Sequence, residues 1–425
     1  MERIIEPKAH INGDIKLEGD KSISHRAIMI GAIAKGETRV ENVLDCDDCN
    51  FTKDAFSRMG IKIGASAGAT IIKGKGLGGL KRPDNPLYLG SSGTSMRLLA
   101  GILAGQRFDV LLTGDAGLLK RPMRRIIEPL KSMGINIRAE DNEHPPIFIK
   151  GGRPLAIRYS MPIPSAQVKS AILFAGLYAN GVTTVKERSQ SRDHTERMLK
   201  FFGADIDVEG NTISVKGGRE LTGRAFSIPA DISSAAFFIV GAAMLRGSRI
   251  TIRKVTINPT RAGVVLILKK MGVKIRITNK HDLFEPVGDI AVEASRTRGV
   301  TISSRLVPSI IDEIPIIAVL AAVSKGRTVI NGIGELRVKE TDRVESIISN
   351  LKRMGSDIRV EGDTMVIKGV ERLKGAGLKS FGDHRTAMAM TIAAIAAEGQ
   401  SVLDDDVCVS KSFPRFFETL NTLTV

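Results

Sequence analysis

HRAIMIGAIAKGETRVENV, residues 25–43, sets small and apolar residues at helical spacing, follows them with a glycine, and ends in a β-branched run. The pattern returns as TSMRLLAGILAGQRFDVLLTG from Thr94, SAQVKSAILFAGLYANGVTTV from Ser165 and SSAAFFIVGAAMLRGSRITI from Ser233. Two more copies are DEIPIIAVLAAVSKGRTVING from Asp312 and HRTAMAMTIAAIAAEGQSVL from His384. The starts recur about every 70 residues, which marks a repeated supersecondary unit. A second pattern lies between the copies: an amphipathic helix, then Met-Gly or Phe-Gly, then a strand pair. RRIIEPLKSMGINIRA, TERMLKFFGADIDVEGNTISVKG, VVLILKKMGVKIRIT and SIISNLKRMGSDIRVEGDTMVIKG are its instances. The glycines suit the left-handed position just past a helix end, and VEGNTISV and VEGDTMVI read as hairpins.

Each unit is thus helix, strand, helix, strand pair. The first helix is apolar on every side and must be buried; the second is one-sided and faces water. Six units predict an α/β protein of two lobes with three units each, every lobe an inside-out α/β barrel whose helices lie within and whose sheets wrap them. Two domains are also the default for 425 residues. The boundary is placed at SIPADISSAA, giving an N-terminal lobe of residues 20–229. Residues 230–425, joined by residues 1–19, form the other lobe, with the active site in the cleft between them.

With 62 Lys plus Arg against 46 Asp plus Glu, the net charge is +16. A basic balance of this size draws nucleic acid or small anions. Aromatics make up only 4% with no Trp, and the cations are spread along the chain, so base stacking has little to work with. Small anionic substrates are the better fit. No long charge-free apolar run or leader-like start is present, so a cytoplasmic protein without membrane contact is expected. Three cysteines suit a reducing compartment. Cys46 and Cys49 form the one C-x-x-C; no second Cys pair or close His completes a tetrahedral metal site, and Cys408 is remote.

Polar groups gather where the inner helices begin: Lys21, Ser22 and Arg26; Ser91, Ser92, Thr94 and Arg97; Ser165, Gln167 and Lys169. In the second half they are Asp231, Ser233 and Ser234; Asp312 and Glu313; Asp383, His384 and Arg385. Capping accounts for a lone Ser, Thr or Asp at such a place. It does not account for the Arg, Lys and Gln beside them. Helix starts that converge on one face would add their N–H groups and dipoles, each contributing about 0.3–1 kcal/mol toward an anion. Further cations stand in LLKRPMRR, LRVKETDRVESI and VSKSFPRFF.

Taken together, GDKSISHRA, GTSMRLLAG, LTGDAGLLKRPM, PSAQVKSAILFAGL, RVKETDRVESI, GDHRTAMAM and VSKSFPRFFETL resemble the enolpyruvyltransferase family, specifically its shikimate 3-phosphate branch. They follow the family's order over almost the whole chain. The resemblance implies transfer of the enolpyruvyl group of phosphoenolpyruvate to the 5-hydroxyl of shikimate 3-phosphate, releasing phosphate by addition and elimination. It also implies no metal or organic cofactor, and a monomer. By resemblance, Lys21, Gly93, Arg121, Arg343, Arg385 and Lys411 hold phosphoenolpyruvate. Ser22, Arg26, Ser165, Ala166, Gln167, Ser191, Asp312 and Lys339 hold shikimate 3-phosphate. Lys21, Asp312 and Glu340 are the catalytic candidates, Asp312 as base at the hydroxyl and Glu340 as acid at the methylene. A carboxylate ringed by cations suits the base; desolvation would equip the acid.

The chain departs from the family pattern at Ser91, where Asn is common, at His194, where Tyr is common, and at Glu335, where Asn is frequent. The branch that uses UDP-N-acetylglucosamine carries Lys-Asn at the first helix start and a Cys in the mobile loop; here stand Lys21-Ser22 and a loop without Cys. A nucleic-acid-binding or RNA-end-processing repeat protein is the alternative from another class, resting on the charge alone.

Overall fold

Helices rich in Ala, Gly and Met can pack on all sides, and the structure uses them that way. It is a computed structural model that describes residues 2–424. Two compact units divide the chain, Gly19–Ile228 and a second made of the segment up to Glu18 together with Pro229 onward.

In the Gly19–Ile228 unit the inner helices are Lys21–Ile33, Gly93–Ala104 and Ala166–Gly176. The first is buried from Ile23 to Ile33 without interruption. Gly101 shows why small residues are needed: a Cβ there would fall 2.1 Å from the carbonyl oxygen of Ala171. Only glycine permits the two helices to approach so closely. Three sheets cover these helices, and each has the same order. The strand after the inner helix (Ala34–Glu41, Asp109–Thr113, Val182–Lys186) pairs antiparallel with the far strand of the following hairpin. Short strands complete the other edge in parallel: Leu221–Thr222 with Ala225–Ser227, Leu87–Tyr88 and Arg158–Ser160.

The second unit repeats this around Ile232–Met244, Ile314–Val323 and His384–Ile395. Its first sheet takes its parallel edge strand, Asn12–Lys16, from the beginning of the chain. Its third sheet departs from the repeat. Among the described residues it has three strands, Arg3–Ile5 antiparallel to Ser401–Leu403 and Gly377–Leu378 parallel to it, and no hairpin follows. Instead the chain passes through the turn Val407–Lys411 into the helix Phe416–Leu423, whose Phe416 meets Phe237, Phe238 and Phe413. In this sheet Arg3–Ile5 therefore takes the place that the far strand of a hairpin takes elsewhere, which the periodicity did not foretell.

Outer helices are one-sided, as in Arg124–Ser132, where Ile126, Ile127, Pro129 and Leu130 are buried and Arg124 and Arg125 are exposed. Five of them end at the glycines Gly60, Gly134, Gly203, Gly272 and Gly355, all with φ between 78° and 96°. Among the described residues, no single helix is long and apolar enough to cross a membrane.

Candidate active site

Within each unit the starts of the three inner helices are tied together by polar side chains. In the Gly19–Ile228 unit, Asp20 caps the first helix by accepting from the Ile23 N–H at 2.9 Å. Lys21 follows and its Nζ lies 2.5 Å from Asp48 Oδ2. Burial alone would depress the Lys21 ammonium. Asp48, Cys46 and Cys49 outweigh it and hold the group above its ordinary value. Ser91 Oγ donates to the other Asp48 oxygen at 3.2 Å, so the first helix start is linked to the loop that opens the second.

Gly93 is the first residue of that second helix, capped by Ser92. A Cβ on Gly93 would lie 2.8 Å from an Arg97 terminal nitrogen and 3.1 Å from one of Arg121. Two guanidinium groups thus face a bare backbone position, an arrangement that suits an anion. Arg97 donates to Gln167 Oε1 at 2.9 Å and to the Pro122 carbonyl at 3.3 Å, while Gln167 donates to Thr94 Oγ1 at 2.9 Å. This joins the second helix start to the third, which Ser165 caps at the Val168 N–H and where Ala166 is the first helical residue. Arg26 closes the set. It donates to Thr195 Oγ1, the Ser22 carbonyl and Ser170 Oγ at 2.6, 2.9 and 3.0 Å.

Ser191 sits beside a fully buried charge cluster. Lys169 Nζ lies 2.8 Å from Glu187 and 2.6 Å from Glu196, and Ser191 donates its N–H and hydroxyl to Glu187. Burial raises the Glu196 carboxyl above its ordinary range, although Lys169 pulls it down.

The second unit concentrates carboxylates. Arg343 is 1% exposed and reaches three of them: Asp383 at 2.8 Å, Asp312 at 3.3 Å and Glu340 at 2.6 Å. Asp383 also caps its helix, accepting from Arg385 and Thr386 N–H. Arg385 lies 3.6 Å from Asp312 and 3.8 Å from Glu313. Arg261, also buried, joins Asp231 and Glu313 and hydrogen-bonds Ser233, so all three helix starts are again connected. Lys411 donates to the Gly382 carbonyl at 3.0 Å, next to Asp383. Burial holds the Lys339 ammonium below its ordinary value, with Asp312 opposing.

The groups with open faces differ from those that hold them. Lys21, Asp312 and Glu340 keep 16%, 17% and 26% of their side-chain surface, whereas Arg343 and Asp383 keep almost none. The residues singled out from the sequence fall into two sets. Lys21, Ser22, Arg26, Gly93, Arg121, Ser165, Ala166, Gln167 and Ser191 lie in one unit. Asp312, Lys339, Glu340, Arg343, Arg385 and Lys411 lie in the other. Sequence reasoning gave no role to Asp48, Glu187, Glu196 or Arg261. Lys169, a charge inside an apolar helix, was the readable signal for the buried cluster, because such a charge needs a buried partner.

Two units of concealed helices, with cations and acid–base groups clustered at the helix starts, suit an enzyme of small anionic substrates. The EPSP synthase family model (3-phosphoshikimate 1-carboxyvinyltransferase) matches residues 5–420. The 3-phosphoshikimate 1-carboxyvinyltransferase of Geotalea uraniireducens is 48% identical over 423 residues, 99% of each chain. That of Bacillus cytotoxicus is 46% identical, covering 97% of this chain and 98% of its own. A solved EPSP synthase from Acinetobacter baumannii superposes with a TM-score of 0.89 at 43% identity, covering 100% of this chain and 98% of that one. The chain belongs to the EPSP synthase family. Members transfer the enolpyruvyl group of phosphoenolpyruvate to shikimate 3-phosphate, a step toward the aromatic amino acids, and this chain is an enzyme of that kind.

Proposed function

We propose that phosphoenolpyruvate is held by Lys21, Gly93, Arg121, Arg343, Arg385 and Lys411, and shikimate 3-phosphate by Ser22, Arg26, Ser165, Ala166, Gln167, Ser191, Asp312 and Lys339. The observation that carries this reading is the Arg343 fork, which fixes Asp312 and Glu340 on one buried cation. Guanidinium groups beside Asp312 favour its ionised form, the form that takes the proton from the attacking hydroxyl. Glu340, which Arg343 also favours as the anion, delivers a proton to the methylene carbon once bound substrates desolvate it, and a proton is withdrawn from that carbon again when phosphate leaves. Lys21, kept charged by Asp48, meets the phosphate that departs. Gly93 contributes backbone N–H and the space in which two guanidinium groups converge.

The enzyme is further proposed to be a cytoplasmic monomer that needs no cofactor. Light scattering on the purified chain should then return a mass near 45.8 kDa. The deciding experiment is a coupled phosphate assay with each substrate omitted in turn. Phosphate should appear only when both are present. Equal release from phosphoenolpyruvate alone would overturn the reading.

A further inference from the structure

The cysteine pair handles no substrate and no proton in the chemistry above, yet it stands beside Lys21 and acts on its charge. Cys46 is the N-cap of the helix Asp47–Arg58 and gives that helix no side-chain cap; Cys49 lies in its first turn. An N-cap side chain naturally points back toward the third helical residue, which is where Cys49 is. Both thiols are free and both are buried. Between them in sequence is Asp48, the partner of Lys21.

We propose that Cys46 and Cys49 are a reversible dithiol–disulfide modification site that sets the position of Asp48 and, through it, of Lys21. The effect on turnover rests on the role given to Lys21 above; the disulfide itself does not. The two thiols are unequal in the way such a pair requires. A hydrogen bond from Cys49 lowers Cys46, with Lys21 adding to it against burial, whereas burial raises Cys49. A Cys46 thiolate would also face the uncapped amides of its helix. Asp45 and Asp47 on either side of Cys46 are exposed, so opening of this one helix start gives a reagent access. The co-reactant is a low-molecular-weight disulfide. Cys46 thiolate attacks one of its sulfurs and one thiol leaves, giving a mixed disulfide. Cys49, as thiolate, then attacks Cys46 Sγ and the second thiol leaves. The protein loses two electrons and two protons, and the small disulfide becomes two thiols. Closing the bond shortens the Cys46–Cys49 separation to bonding distance and twists the turn that carries Asp48.

The test treats the reduced full-length protein with oxidised glutathione, followed by peptide mapping and steady-state kinetics. A Cys46–Cys49 link should form with loss of two hydrogen masses. Turnover should fall by about tenfold or more as Lys21 is displaced and return with dithiothreitol. Cys49→Ser should remain active when reduced, and accumulate a glutathione adduct at Cys46 in place of the link. Two results would overturn the proposal: both thiols still open to alkylation after denaturation of the treated protein, or a complete link with turnover unchanged. Lys21→Ala is run beside it. Normal turnover in that variant removes the reading of Lys21, while the mapped link still decides the modification site.

Discussion

Replacing Lys169 by Met removes the one ammonium from a cluster in which Lys169, Glu187 and Glu196 are each at most 4% exposed. Met keeps the length of the side chain, so the change is one of charge more than of volume. Two buried carboxylates then lose their counter-ion, and the cheapest escape is protonation. For a carboxyl with an ordinary pKa near 4.3 that costs about 1.36 kcal/mol per pH unit above it, hence about 3.7 kcal/mol each at pH 7 and about 1 at pH 5. The variant should therefore be less stable than the parent by about 4–7 kcal/mol at pH 7, the range set by whether one or both protonate, and by about 1–2 kcal/mol at pH 5. Burial already holds Glu196 above its ordinary range, which puts the outcome toward the lower end. The sign follows from linkage: native carboxyls that bind protons the unfolded chain has lost make stability fall as pH rises. Urea denaturation of both proteins at pH 5, 6 and 7 measures it. Adding Glu187→Gln and Glu196→Gln to the variant should recover most of the loss at pH 7. A deficit that is the same at all three pH values would refute the argument, because it would mean that packing and not charge is what Lys169 supplies.

Arg343→Lys keeps the charge but loses the planar fork whose three nitrogens each reach a different carboxylate. Turnover should fall about 10²-fold or more as Asp312 and Glu340 lose their common anchor, with near-normal kcat as the contrary result. Asp312→Asn should lower kcat by about 10²–10⁴-fold in a protein whose thermal unfolding is little changed; a loss confined to KM would remove it as the base. Gly93→Ala pushes a Cβ against Arg97 and Arg121, so KM for phosphoenolpyruvate should rise by about tenfold while KM for shikimate 3-phosphate holds. His25 is held neutral by burial, its pKa lowered to about 3, and it is hydrogen-bonded to Thr52. Its contribution is therefore intact above pH 6.5 and lost as pH falls toward 3. His25→Gln should flatten the acid limb of a stability–pH curve, and an unchanged limb would show that His25 does not set it.

The six inner helices were readable because their composition leaves no polar face: a helix such as IPIIAVLAAV has nowhere to be but inside. The hairpins were readable at Gly-Asn and Gly-Asp, and the outer helix ends at Met-Gly and Phe-Gly. What escaped was non-local. Residues 1–19 were legible as part of the second lobe, but no strand was named for them: Asn12–Lys16 pairs with Arg249–Thr256 across more than half the chain, and no local pattern names that partner. The sixth sheet escaped because the repeat supplied a strong template and because its antiparallel strand, Arg3–Ile5, comes from the other end of the sequence. Candidate site residues were legible as far as they were helix-start cations, and by resemblance as far as they were motif members. Asp48 shows the remaining gap: within DCDDCN it looks like a capping acid, and only the fold sets it against Lys21.

One scaffold yields two kinds of helix-start cluster, and the difference lies in a few side chains. In the Gly19–Ile228 unit the connected groups are Lys21, Arg26, Arg97, Gln167 and hydroxyls, with Asp48 as the main counter-charge. Helix amides and cations there act in the same sense, toward holding anions. In the other unit Arg261, Arg343 and Arg385 meet Asp231, Asp312, Glu313, Glu340 and Asp383. There the helix starts are already answered by carboxylates, Asp383 accepting two N–H groups and Asp231 one. A further anion gains less from the amides of that unit, and what holds it there must be the Arg and Lys side chains. The repeat thus presents different charges at its inner-helix starts in the two units, while the buried helices that present them are of one kind.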